Sequence, residues 1–178
     1  RGKVYRLKGY ELPEASRTAK GTAIVNLLPM EPKEQITAVI PIKDFSGRKY
    51  LFMATKKGIV KKTEVVEYDT ARKTGLIAIL LDEDDELIGV KLTNGDQHII
   101  MGTAGGLAIH FAEQDVRSVG RSSRGVKGIT LHDDDLVVGM EITREDGEVL
   151  TVTAAGYGKR TPVNEYRLQA RGGKGVLN

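Results

Sequence analysis

The stretch RLQARGGKGVLN, residues 167–178, sets Arg167, Arg171 and Lys174 among Gly172, Gly173 and Gly175, with no acid. That mixture suits the binding of a polyanion. Lysine and arginine neutralise phosphates and release counterions. Glycine lets the backbone come close, so that its N–H groups can meet phosphate oxygens. The grouping recurs. RTAKG ends at Gly21, RSSRG at Gly125 and RGGKG at Gly175, each nineteen residues after Gly2, Gly106 and Gly156. A shorter, degenerate copy, ARKTG, ends at Gly75.

Other chemistries lack their signatures. His98, His110 and His132 fall at unrelated repeat positions and cysteine is absent, so no metal site is expected. DEDDE and HDDD do not have the ligand spacing of a calcium loop, and read as acidic turns. GGKG is not a nucleotide-binding loop, because the G-x-x-x-x-G-K-[ST] spacing is missing. No G-x-S-x-G occurs. Apolar residues make up 40% and charged residues 29%, with a net charge of +3, which is ordinary for a globular chain. No apolar run approaches the length of a membrane span.

The elements that must hold the basic stretches are also periodic. TKKGIVKK begins at Thr55, TAGGLAIH at Thr103 and TAAGYGKR at Thr153, steps of 48 and 50 residues, and RGKVYRLK is a fourth copy. Asn94-Gly95, Asp146-Gly147 and Ser46-Gly47 lie between apolar runs and predict hairpins there. Further short strands are expected in LIAILL and GITL, and one helical turn in EQDVRSVG. The result is an all-β chain with about four strands per repeat, over approximate repeats 1–54, 55–102, 103–152 and 153–178. Four antiparallel strands per 40–50 residues is a propeller-like blade, and blades must stack to bury their faces. About three full blades plus partial ends are expected, and open strand edges invite self-association of the chain.

Charge keeps the same time. Basic residues gather on the Thr-x-x-Gly strand and the loop after it, and acids gather in LDEDDELIGV and LHDDDLVVGM. The candidate contacts for a duplex are Lys3, Arg6, Arg17 and Lys20 in the first copy, and Lys61, Lys62, Arg72 and Lys73 in the second. The third supplies Arg121, Arg124 and Lys127, beside Arg117; the fourth supplies Lys159, Arg160, Arg171 and Lys174, beside Arg167. Arg121, Arg124, Arg171 and Lys174 are the foremost candidates. Aromatic residues are only 5% of the chain, and Tyr5, Tyr10, Tyr157 and Tyr166 are not spaced as stacking platforms, so a duplex is favoured over a single strand. A protein-interaction propeller remains the alternative of another class.

RGKVYRLKGYELPEASRTAKGTAIVNLL, KYLFMATKKGIVKKT, DELIGVKLTNGDQHIIMGTAGGLAIHF, VGRSSRGVKGI and GYGKRTPVNEYRLQARGGKGVLN resemble the C-terminal domain of the A subunit of bacterial DNA gyrase over essentially the whole chain. The resemblance implies part of a six-bladed β-pinwheel with strands exchanged between blades. It implies double-stranded DNA wrapped on a basic rim in a positive sense, and ATP-dependent negative supercoiling by a cytoplasmic, nucleoid-associated bacterial holoenzyme of two A and two B subunits. ATP and Mg2+ would serve other domains, as would the nucleophilic tyrosine, so no cofactor and no catalytic residue are expected here. The family's hallmark heptad is Q-[RK]-R-G-G-[RK]-G in the first blade. Gln169, Ala170, Arg171, Gly172, Gly173, Lys174 and Gly175 match it except at Ala170, as a degenerate copy in a later blade. The true heptad is expected upstream of Arg1. The related topoisomerase IV domain is the alternative within the same class.

Overall fold

Threonine and glycine build the hairpins. In the computed structural model, which describes residues 2–178, the Gly58, Gly106 and Gly156 amides donate to the carbonyl oxygens of Thr55, Thr103 and Thr153 at 3.0, 3.1 and 2.9 Å. Each threonine hydroxyl accepts a second amide, from Ile59, Leu107 and Tyr157 at 3.2, 3.1 and 3.2 Å. The three glycines sit at φ of 81°, 84° and 86°, where a Cβ is strained.

Twelve strands occur among the described residues: β1 (Lys3–Val4), β2 (Tyr50–Thr55), β3 (Ile59–Glu64), β4 (Leu76–Ile77), β5 (Leu87–Thr93), β6 (His98–Thr103), β7 (Leu107–Ala112), β8 (Val126–Lys127), β9 (Val137–Thr143), β10 (Glu148–Val152), β11 (Gly158–Pro162) and β12 (Val176–Leu177). All the paired strands are antiparallel. They make two four-stranded sheets, ordered β5-β2-β3-β8 and β9-β6-β7-β12, and two two-stranded sheets, β1-β4 and β10-β11. The expected helical turn is a 3-10 turn at Glu113–Asp115, with counterparts at Val65–Tyr68 and Val163–Glu165.

Each four-stranded sheet takes its outer strands from later sequence. Strands β5 and β8 flank the β2–β3 hairpin, and β9 and β12 flank the β6–β7 hairpin. Four repeats therefore complete two such blades, with a two-stranded sheet on either side. The same exchange corrects the hairpins read from Asn94-Gly95 and Asp146-Gly147. Strands β5 and β6 enclose the first of these turns but pair with β2 and β9, not with each other. Strands β9 and β10 likewise separate into different sheets. Ser46-Gly47 precedes β2, and residues 37–43 form no strand before it. The strand expected in GITL instead ends at Lys127, just before Gly128.

Burial explains the exchange. Along β2, Leu51 and Met53 enter one core, with Tyr68 and Ile79, while Phe52 and Ala54 enter another. That second core joins both blades: Phe52 and Val60 meet Ile99, Met101, Ile109 and Phe111, the two phenylalanine rings 6.3 Å apart. Along β6 and β7, Ile100 and Ala108 turn to a third core with Tyr166. Successive side chains of a strand point to opposite faces, so a blade packed on both sides must be apolar on both. Strands with two apolar faces cannot serve as half-exposed hairpins.

Candidate functional site

The basic loops run along the outer edges of the hairpins. Loop 117–125 follows β3: the Val119 amide donates to Lys62 O at 2.9 Å, and a Cβ on Gly125 would lie 2.4 Å from Val60 O. Loop 167–175 follows β7 in the same way: the Gln169 amide donates to His110 O at 2.9 Å, and a Cβ on Gly175 would lie 2.6 Å from Ala108 O. Gly125 and Gly175 hold φ of 97° and 80°. Only glycine combines that conformation with so close an approach, which accounts for the recurring basic-glycine pair.

Adjacent loops are also bonded to one another. Arg121 Nη1 donates to Ile77 O at 3.3 Å, and fifty residues on Arg171 Nη1 donates to Lys127 O at 3.0 Å. Arg171 Nε adds a bond to Asp115 O at 2.9 Å. The Leu80 amide reaches Ser123 O at 3.1 Å, and the Thr130 amide reaches Gly173 O at 2.8 Å. Gly172 N–H donates to Gly128 O, and the Thr130 hydroxyl to Gly172 O. Loops 69–77, 117–127 and 167–175 are thus one hydrogen-bonded series. Arg121 and Arg171 act as its staples, and each guanidinium keeps N–H groups beyond the bonds it makes.

Two predicted contacts are corrected. Lys61 and Lys62 are buried. Lys61 Nζ donates to Ala78 O at 2.6 Å and to Arg121 O, and burial pushes its pKa down to about 8. Lys62 Nζ donates to Glu113 O at 3.1 Å and lies 5.2 Å from the Tyr50 ring centre; burial lowers its pKa too. Neither ammonium can reach a phosphate outside. The signal was their register: both stand on β3, not on a loop, where the next blade has Ile109 and His110.

The remaining cations divide by partner. Lys3 pairs with Glu31 and Glu34, and Arg6 with Asp69 at 2.6 Å beside the Phe45 ring. Lys73 meets Glu11 at 3.3 Å, Arg124 meets Asp82 at 2.5 Å, and Arg160 meets Glu148 at 3.1 Å. Arg17, Lys20, Arg72, Lys127, Lys159 and Lys174 are exposed, with no carboxylate within 4 Å among the described residues. Arg17 and Lys20 lie on an irregular segment outside the series of loops. Of the heptad copy, Ala170 is exposed, while the Gln169 amide and the Gly172 and Gly173 backbone serve the contacts already described. Arg117 and Arg167, exposed at equivalent positions and without an ion pair among the described residues, are candidates of the same kind as the foremost four. Their identical place in two repeats, fifty residues apart, was the available clue.

The acids close the Thr-x-x-Gly turns. Asp85 Oδ1 accepts the Lys57 amide at 2.9 Å, and Asp135 Oδ1 accepts the Gly105 amide at 2.7 Å. Burial would raise the Asp135 pKa, but the Thr103 hydroxyl and the Gly105 and Leu136 amides outweigh it and hold the carboxyl below its usual range. At Arg124 an acid turn touches the basic series; among the described residues Lys174 has no ion pair.

The geometry defines a propeller-like all-β repeat domain with cationic loops joined along its blade edges. A family model described as "DNA gyrase C-terminal domain, beta-propeller" matches residues 1–43, 49–94, 97–144 and 147–177, and the chain belongs to that family. It is 63% identical to the DNA gyrase A subunit of Clostridium acetobutylicum over 99% of this chain, and 45% identical to that of Lawsonia intracellularis over all of it. The chain spans 21% and 22% of those two relatives. Among solved structures it resembles a C-terminal domain of DNA topoisomerase IV (TM-score 0.93, 32% identity, 99% of this chain and 55% of that one). It also resembles a DNA gyrase A C-terminal domain (TM-score 0.82, 28% identity, 98% of this chain and 56% of that one).

Proposed function

We propose that this chain binds duplex DNA along the series of basic loops and bends it, as the wrapping domain of a gyrase A subunit. One observation carries the reading: equivalent loops on successive blades are hydrogen-bonded edge to edge, and each presents cations with no ion pair among the described residues, Arg117 with Lys127 and Arg167 with Lys174. A duplex following that edge meets cations at a repeated interval, and backbone-dominated binding lets its curvature follow the protein. The partners in this reading are double-stranded DNA, the gyrase B subunit, plus the rest of the A subunit, in the bacterial cytoplasm. Its part in an ATP-dependent type IIA topoisomerase is to hold the DNA that other domains pass and cleave, so that strand passage yields negative supercoils. The gyrase assignment is favoured over topoisomerase IV by the 63% identical relative, since the likeness to the topoisomerase IV domain is in shape at 32% identity. A protein-interaction role would not call for unpaired cations in phase.

Duplex binding measured at about 50 and 200 mM salt tests this. With about four phosphates neutralised, affinity is expected to fall by about two orders of magnitude across that range. Weak binding without salt dependence would defeat the reading.

A further inference from the structure

Where the acidic turns meet the basic loops, the two blades differ by one residue. The Leu80–Ser123 backbone bond brings position 82 beside position 124, and there Asp82 Oδ1 lies 2.5 Å from Arg124 Nη1. Fifty residues on, the equivalent Thr130–Gly173 bond brings position 132 beside position 174. Those positions hold His132 and Lys174, and among the described residues Lys174 has no ion pair. One backbone junction therefore presents a cation with a carboxylate on it in one blade, and without one in the next.

We infer that Asp82 is an affinity-setting residue, a built-in competitor that holds the Arg124 guanidinium until a DNA phosphate displaces it. Carboxylate and phosphate satisfy the same planar donor fork, so one group cannot serve both fully. Phosphate binding at Arg124 must break the existing pair, and its gain is reduced by the strength of that pair. At Lys174 nothing is broken. The two loops thus bind with graded strength, the 167–175 loop holding DNA more firmly than the 117–125 loop. The Arg124 and Asp82 side chains are 71% and 56% exposed, and exposed pairs are weak, so the grading is modest.

The inference rests on the duplex-binding reading, and the test separates the two. Duplex affinity of the 178-residue chain is compared for Asp82→Asn and for Glu83→Gln, which changes net charge equally at an exposed side chain with no ion pair among the described residues. Asp82→Asn is expected to bind about two- to fivefold tighter than Glu83→Gln, the range an exposed pair can supply. That advantage should vanish when Arg124→Gln is added. The converse change, His132→Asp, should weaken binding by a similar factor through Lys174. Equal affinities for Asp82→Asn and Glu83→Gln, or an advantage that survives Arg124→Gln, overturns the inference while leaving DNA binding intact. No binding by the unaltered chain overturns both.

Discussion

The β2–β3 blade and the β6–β7 blade share a frame but not an interior. In both, a threonine hydroxyl closes the hairpin, a glycine presses a basic loop onto the second hairpin strand, and an arginine staples that loop to the one before. Inside they part. Beside the first blade, Lys61 and Lys62 hold carbonyls, and the buried Glu113 carboxylate accepts the Thr93 hydroxyl and the Gly95 and Gln97 amides. The equivalent places in the next repeat are Ile109, His110 and Val163; His110 bonds Tyr166 O and Thr143 Oγ1, each at 3.0 Å. Backbone bonds and glycines thus set where the loops go, while the buried residues that lock them are exchangeable between polar and apolar solutions. A locked turn such as Asn94-Gly95 costs most when a single partner is removed, because donors are then left buried without acceptors.

The shared frame should be the hardest part to change. Gly125→Ala and Gly175→Ala each place a Cβ within 2.6 Å of a strand carbonyl oxygen at positive φ. A loss of about 3 kcal/mol or more is expected in chemical denaturation for both. A mild effect in one blade alone would break the equivalence. The interiors should then diverge. Glu113→Ala strands three donors and is expected to cost about 3 kcal/mol, against about 1–2 kcal/mol for Val163→Ala. Thr55→Val and Thr103→Val each remove one turn acceptor, for about 1 kcal/mol in either blade. The last test is in pH. Lys61 has its pKa lowered in the fold from 10.5 to about 8. Between those values the unfolded chain binds the extra proton, so stability gains from Lys61 as pH rises through that window and is flat below it. Thermal unfolding from pH 7 to 10.5 should show this rise, and Lys61→Met should remove it; an identical profile in both would show that Lys61 is not buried as a cation.

The repeat was legible because its marks are local. Thr-x-x-Gly needs only one turn, and Arg-x-x-Lys/Arg-Gly marks a loop wherever it occurs. The positions of Arg121, Arg124, Arg171 and Lys174 on equivalent loops followed from counting. The hairpins were misplaced at Asn94-Gly95 and Asp146-Gly147, because a turn dipeptide shows that the chain reverses but not which strand receives it. Lys61 and Lys62 were misassigned for a related reason: charge suggests water, and two ammonium groups satisfied by carbonyls of Ala78, Arg121 and Glu113, distant along the chain, leave no local trace.

Composition and period by themselves determined an all-β array, its turns and the loops that carry its cations, since each depends on contacts within a few residues. Tertiary structure alone decided which blade each strand completes, which lysines are withdrawn from the surface, and that Asp82 pairs with Arg124. Those outcomes depend on groups distant along the chain, brought together by burying both faces of every central strand.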